Sequence, residues 1–134
     1  MSKIVLLYDC PKCLKICEKI KSCLGFPNIE IVSIRSINDR GDLSRESVQV
    51  QILVTCKSRK VLKLLSKDDK PTVLLCYEDK VPEVPPNIRV VTALRVYKDD
   101  LERDDMFHAL ITLLRELLSQ ISTYRTFISN QRGV

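Results

Sequence analysis

The sequence is poor in glycine, histidine and tryptophan, and each shortage removes a class of function. Its 134 residues include three glycines, one histidine and no tryptophan, with three Phe and four Tyr. No glycine lies in the turn after the first predicted strand, so the loops that hold phosphates and dinucleotides are missing. His108 lies in the last predicted helix and leaves Ser-His-Asp catalysis unsupported. Because few aromatic rings are available to stack on bases, no nucleic acid partner is expected.

Long apolar runs are also missing. The apolar run at residues 4–8 is too short for a membrane span or for the core of a signal peptide, so we expect a cytoplasmic protein. The net charge of +5 is mild, and the Lys and Arg residues are scattered. The length suits one domain. We therefore predict a single α/β domain over residues 1–122, a polar tail over residues 123–134, and no cofactor.

The first third of the chain predicts a strand, a helix and a second strand. Residues 4–8 are apolar on both faces, as in the buried middle of a parallel sheet. After Cys10-Pro11-Lys12, apolar residues recur at helical spacing up to Gly25, a plausible helix C-cap. That stripe consists of Cys13, Ile16, Cys17, Ile20, Cys23 and Leu24. Residues 29–34 form the second strand, so the unit predicts a right-handed crossover.

The rest of the chain predicts three more strands and two helices. The strands are residues 48–55, 71–77 and 88–97, the last interrupted near Thr92 and Ala93. A short helix covers residues 58–66, and residues 43–48 form a helical turn or two. The last helix begins after Asp99 or Asp100 and ends at Ser122. This order predicts a three-layer flavodoxin-like sandwich of five mostly parallel strands with helices on both faces.

Cysteine is abundant: four of the six cysteines, Cys10, Cys13, Cys17 and Cys23, lie within residues 10–23. Their spacing invites a metal interpretation, but structural zinc usually takes two ligand pairs, and His108 is distant. Three of the four also belong to the predicted buried stripe, where free cysteine commonly packs. We therefore expect packing cysteines and no metal.

A redox function is the alternative for Cys10-Pro11-Lys12-Cys13. In thiol oxidoreductases a C-x-x-C follows a buried strand and begins a helix, whose N-terminus stabilises the thiolate. Pro71, followed by an apolar strand, resembles the proline that faces the dithiol in thioredoxins. The resemblance breaks between residues 34 and 71, where a thioredoxin-like chain has essentially one helix and this one adds a strand. The alternative function is a thiol-disulfide oxidoreductase of the thioredoxin or glutaredoxin type.

Several stretches together resemble the TIR and SEFIR signalling domains, the cytosolic modules of Toll-like and interleukin-17 receptors and their adaptors. Lys3 and the apolar run ending at Tyr8 are similar to their first strand. Residues 51–58 resemble their third strand with its trailing serine. Residues 72–85 look like the fourth strand followed by a proline-bearing loop, and residues 95–101 look like the short last strand that leads into the final helix.

The resemblance implies a non-enzymatic module that binds a protein partner, either a second copy of itself or a related domain. Its contact loop would follow the second strand and include Arg35, Asn38, Asp39, Arg40 and Asp42. TIR domains that cleave NAD carry a glutamate in the helix after the third strand, and residues 56–69 contain none. We therefore expect a signalling adaptor or receptor module without catalysis.

Overall fold

The computed structural model describes residues 3–35, 48–65 and 70–132, without the side chains of residues 48, 49 and 122–132. Five strands form one sheet in the order β2-β1-β3-β4-β5, and every neighbouring pair is parallel. The strands are β1 (Lys3–Tyr8), β2 (Ile29–Ser33), β3 (Val48–Thr55), β4 (Thr72–Tyr77) and β5 (Val90–Val96). The helices are α1 (Pro11–Leu24), α2 (Ser58–Leu65), α3 (Lys98–Glu102) and α4 (Asp104–Arg132).

Alternation along the central strands divides the core into two layers. Leu6, Ile52 and Leu75 face α1 and α4, while Leu7, Leu53 and Leu74 face α2. All six side chains are at most 1% exposed. Because both faces of the central strands are covered, β1 and β4 are nearly continuous apolar runs, and β3 is apolar from Ile52 to Val54. The predicted flavodoxin-like sandwich is confirmed, and its strands are all parallel rather than mostly parallel.

The first helix is fixed at both ends by polar contacts. The Cys10 side chain caps its N-terminus, and Pro11 occupies the first turn, where the missing N-H is not needed. Gly25 ends the helix in the left-handed conformation with φ of 77°. Arg115 of α4 donates to the carbonyl oxygens of Cys23 and Leu24, which joins the end of α1 to α4.

Three predictions about the chain after β4 need correction. The strand β5 is continuous through Thr92 and Ala93, because both residues pair with β4. The last helix is preceded by a separate short helix, α3, whose first turn is capped by Asp100 accepting from the Tyr97 N-H. The helix α4 then continues to Arg132, past the end expected at Ser122. The predicted turn at residues 43–48 lies mostly outside the described residues.

Candidate functional site: a thiol cluster and an apolar groove

The carboxyl ends of β1 and β3 meet at the middle of the sheet. The chain runs from β1 to β2 on one side and from β3 to β4 on the other. The connections after β1 and β3 therefore lead in opposite directions across the sheet. In open α/β sheets, such a reversal opens a crevice at the carboxyl ends of the strands, where ligands bind. Asp9 and Cys10 follow β1, and Cys56 follows β3, which places all three at this point.

Three thiols converge there. The Sγ atom of Cys10 lies 3.2 Å from Sγ of Cys13 and 3.7 Å from Sγ of Cys56. It also accepts a hydrogen bond from the Cys13 backbone N-H at 3.4 Å, which is the cap of α1. Cys10 and Cys56 are half-buried, whereas Cys13 is fully buried. We call these three residues and Asp9 the thiol cluster, because one oxygen of Asp9 and the three sulfurs all lie within 4.8 Å of one another.

Burial keeps two thiols of the cluster, Cys13 and Cys56, protonated. Desolvation is the main cause that raises the pKa of Cys13 far above the usual thiol range, and the hydrogen bond with Cys10 and the charge of Asp9 add to it. Desolvation also raises the pKa of Cys56. At neutral pH the thiols of Cys13 and Cys56 are therefore uncharged in the protein without a bound cation.

Asp9 is held from one side only. Its Oδ2 atom accepts a hydrogen bond from the buried Thr55 hydroxyl, which itself accepts from the Lys57 N-H at 2.9 Å. The other carboxylate oxygen, Oδ1, is buried and has no hydrogen-bond partner among the described residues. Leaving such an atom unpaired costs about 1 to 3 kcal/mol. The Asp9 carboxylate nevertheless interacts with the thiols, because its charge and a side-chain hydrogen bond raise the pKa of Cys13.

A polar cleft lies next to Cys56. It is lined by residues 56–60 and 79–83, including Lys57, Arg59, Lys60, Asp79, Lys80 and Glu83. Asp79 caps α2, because its Oδ2 accepts from both the N-H and the hydroxyl of Ser58 at 2.8 Å. The backbone hydrogen bond from Ser58 holds the pKa of Asp79 below its usual value, so this carboxylate is charged at neutral pH. Its role is to fix the start of α2.

The other cysteines do not join the cluster. Cys17 and Cys76 are fully buried in the two core layers, and burial raises their pKa values to about 12 and about 11. Cys23 is exposed near the end of α1. Cys17 is buried as the helical stripe predicts, whereas the prediction that Cys23 belongs to the buried stripe is wrong, because this side chain is exposed.

A second candidate surface lies between β5 and α4, at the edge of the sheet. Val91, Tyr97 and Leu113 are 49%, 45% and 39% exposed, although each is large and apolar or aromatic. Two hollows lie between the strand and the helix, and we call them together the β5–α4 groove. Their apolar lining consists of Pro71, Val90, Val91, Leu94, Val96, Met106, Ala109, Leu110, Leu113, Leu117 and Ile121.

Val91 is exposed because β5 contains a bulge. Thr72 pairs with Val90 and Val73 pairs with Thr92, so Val91 is the extra residue on this edge strand. A bulge disturbs the row of backbone groups that a further strand would need. The apolar side chains of the groove, rather than the backbone of β5, are therefore the feature a partner can bind.

The residues predicted from sequence fall in different places. Pro71 precedes β4 and lies at the amino end of the parallel strands, so the structure separates it from Cys10 and Cys13 at the carboxyl end. Arg35 is exposed just after β2. Asn38, Asp39, Arg40 and Asp42 lie outside the described residues.

Sequence reasoning did not find Asp9 and Cys56 as neighbours of Cys10. A usable pattern was present, because each residue directly follows a strand predicted to lie in a parallel sheet. The carboxyl ends of neighbouring parallel strands meet at one edge. What was missing was the strand order, since only adjacency of β1 and β3 brings the two segments together.

Comparison with known proteins adds no assignment. A scan against models of protein families and a search among curated proteins both found no match. No helix within the described ranges is long and apolar enough to cross a membrane.

Proposed function

We propose that the protein is a non-enzymatic interaction module that binds a partner through the β5–α4 groove, with a second copy of the chain as its simplest partner. The observation that carries the proposal is the exposure of Val91 and Leu113, which line one each of the two hollows between β5 and α4. Contiguous exposed apolar surface is typical of protein interaction sites. The resemblance to TIR and SEFIR domains implies the same kind of function.

The groove suits side-chain packing. Leu113 and Leu117 are four residues apart on α4, and Leu110 lies three residues before Leu113, so all three share one side of the helix. Leu94 lines the same groove from the strand. An amphipathic helix is the element that most commonly fills a groove of this kind, with apolar anchors at helical spacing. The helix α4 of a second copy presents such anchors.

Leu113→Lys tests the proposal, with Thr112→Lys as the matched control. Both residues are exposed on α4 and both changes add one positive charge, but only Leu113 lines the groove. We expect Leu113→Lys to weaken self-association at least about tenfold, or about 1.4 kcal/mol. The measurement is the weight-average mass by sedimentation or light scattering over a range of concentrations. A wild-type chain that stays monomeric throughout, or equal effects of the two variants, would contradict the groove as the contact surface.

A thiol-disulfide oxidoreductase is the second candidate, favoured by the separation of 3.2 Å between the sulfurs of Cys10 and Cys13. Cys10 is half-buried at the start of α1, whereas Cys13 is buried, as befits an attacking and a resolving thiol. The thiolate of Cys10 would attack a substrate disulfide and release one substrate thiol. Cys13 would then lose its proton and attack Cys10, which forms the internal disulfide and releases the second thiol.

Basic side chains beside Cys56 favour an anionic disulfide as the substrate. Lys57, Lys60 and Lys80 line the adjoining cleft and are exposed. We therefore expect oxidised glutathione, which is anionic, to oxidise the pair faster than cystamine, which is cationic. Peptide mapping should find a Cys10–Cys13 disulfide, and Cys13→Ser should trap glutathione on Cys10. Modification of the exposed Cys23 alone would overturn this candidate function.

A further inference from the structure

We propose that Asp9, Cys10, Cys13 and Cys56 bind one zinc ion. The site is independent of the interaction function, because none of its four residues lines the β5–α4 groove. It shares Cys10 and Cys13 with the metal pattern considered in the sequence, but Asp9 and Cys56 take the places of Cys17 and Cys23. The donors come instead from the ends of two neighbouring strands and the first turn of α1.

The spacing of the donor atoms fits a single ion. Zinc holds thiolate sulfur at about 2.3 Å, so two sulfurs on a tetrahedral ion lie about 3.8 Å apart. The distance from Cys10 Sγ to Cys56 Sγ is 3.7 Å, and that from Cys10 Sγ to Cys13 Sγ is 3.2 Å. All four donors lie within 4.8 Å of one another, so the largest separation exceeds the tetrahedral value by at most about 1 Å.

The orphaned oxygen of Asp9 points to the same conclusion. Thr55 holds Oδ2, which leaves the buried Oδ1 as the only oxygen of Asp9 without a described partner. A cation bound among the four donor atoms would lie beside the Asp9 carboxylate, because one of its oxygens belongs to the set. A carboxylate ligand whose second oxygen is fixed by a hydroxyl is the usual arrangement around bound zinc.

The chemistry of the donors selects the metal. Thiolates disfavour Mg²⁺ and Ca²⁺, which take oxygen ligands, and a tetrahedral set of three sulfurs and one oxygen suits zinc. Binding exchanges three thiol protons for the ion, so three protons are released for each zinc bound. The four protein ligands close the coordination shell, which makes the ion structural rather than catalytic.

Zinc would tie the start of α1 to the end of β3. Cys10 and Cys13 belong to the first turn of the helix, and Cys56 belongs to the loop before α2. A Cys10–Cys13 disulfide would remove two of the four ligands. Zinc binding and the redox function therefore exclude each other within one molecule, and each can fail without the other.

The test uses the 134-residue chain with its six cysteines reduced, together with Zn²⁺ or Co²⁺ alone as the probe. We expect one zinc per chain by elemental analysis, and thiolate-to-cobalt charge-transfer bands with Co²⁺. Cys56→Ser and Asp9→Asn should each weaken binding at least tenfold. The control, Cys23→Ser at an exposed cysteine outside the cluster, should bind as the wild type does.

Thr55 positions the Asp9 carboxylate, so substitutions of Thr55 test the site independently of the four ligands. Thr55→Val removes the hydrogen bond to Asp9 Oδ2 and should weaken zinc binding about 10- to 100-fold, as loss of such partners does elsewhere. Thr55→Ser keeps the hydroxyl and should restore the affinity. Circular dichroism of each metal-free variant checks that it is folded.

Three results would overturn the four-residue site. One is a reduced wild-type chain that binds neither Zn²⁺ nor Co²⁺. The second is a Cys56→Ser variant with wild-type affinity, because zinc would then be held by other residues. The third is wild-type affinity in Asp9→Asn, which would remove the carboxylate from the ligand set and refute the four-residue site as proposed.

Discussion

The thiol cluster and the β5–α4 groove are assembled in different ways. The cluster is polar and half-buried, and its residues come from segments that meet where two central strands end. The groove is apolar and partly exposed, and it is formed by an edge strand and the face of one long helix. They share no lining residue. Substitutions in one region are therefore expected to leave the other intact, and four predictions test that separation.

The largest effect is expected from the buried side of the helix that forms the groove. Leu114 is fully buried, whereas its neighbour Leu113 is 39% exposed. Leu114→Ala should lower the free energy of unfolding by about 2 to 5 kcal/mol, because a cavity remains in the core. Leu113→Ala should change it by at most about 0.5 kcal/mol. Chemical denaturation measures both, and equal costs would show that the two sides of α4 are not distinct.

Alkaline pH should separate the core cysteines from the exposed one. Burial raises the pKa of Cys76 from 9.0 to about 11 and that of Cys17 from 9.0 to about 12. Below pH 9 the thiols are neutral in both states. As the pH rises towards 11, the unfolded chain loses these protons first, so stability falls by up to about 1.4 kcal/mol per pH unit for each thiol.

Variants can check which thiols produce this loss. Cys17→Ala and Cys76→Ala should each make the decline with pH shallower, whereas Cys23→Ala should leave it unchanged. Denaturation midpoints at several pH values between 8 and 11 provide the measurement. In the Cys17→Ala/Cys76→Ala double variant a shallower decline should remain, because the pKa values of Cys13 and Cys56 are also raised. A double variant with the wild-type decline would show that Cys17 and Cys76 do not contribute to it.

The third prediction compares one substitution in the thiol cluster with one in the β5–α4 groove. Cys56→Ser should abolish or weaken metal binding without changing self-association, since Cys56 lies outside the groove. Leu113→Lys should weaken self-association without changing metal binding. Metal content and sedimentation mass, measured on the same samples, give both readouts. If Cys56→Ser also dissociated the protein, the thiol cluster and the β5–α4 groove would be coupled and not independent.

The smallest effect is expected at the loop after β2. The resemblance to TIR and SEFIR domains implies that Arg35 and Arg40 contribute to contacts. Arg35→Glu combined with Arg40→Glu should leave thermal stability unchanged and weaken association by a few-fold, because an exposed charge such as that of Arg35 contributes little by itself. The effect should diminish at high salt. Association of the double variant equal to that of the wild type at low salt would remove this loop from the contact surface.

Much of the fold could be predicted because its local patterns are strong. The apolar run at residues 4–8 and the helical stripe from Cys13 to Leu24 correspond to β1 and α1. The bounds of β3 were predicted without error. The predictions failed where the pattern was weak, as at Thr92 and Ala93, whose pairing with β4 outweighs their low apolar content. Helix propensity past Ser122 was likewise underestimated.

The candidate sites were less predictable. Cys10 and Cys13 lie three residues apart, so their proximity follows from the first turn of a helix. Cys56 is far from both in sequence, and its approach depends on the order of the strands. The arrangement of the strands also decides the position of Pro71, which it separates from Cys10 and Cys13. In an all-parallel sheet the amino ends of the strands lie opposite their carboxyl ends. Pro71 at the start of β4 therefore cannot face the dithiol at the end of β1.

The sequence by itself determined the elements and the layers, because the spacing of apolar residues states which faces of each strand and helix must be buried. Only the tertiary structure decided which residues meet. The order β2-β1-β3-β4-β5 brings Asp9, Cys10 and Cys56 to one point, and the packing of α4 beside β5 leaves Leu113 exposed next to the buried Leu114. Both outcomes depend on contacts between distant segments, which local spacing does not encode.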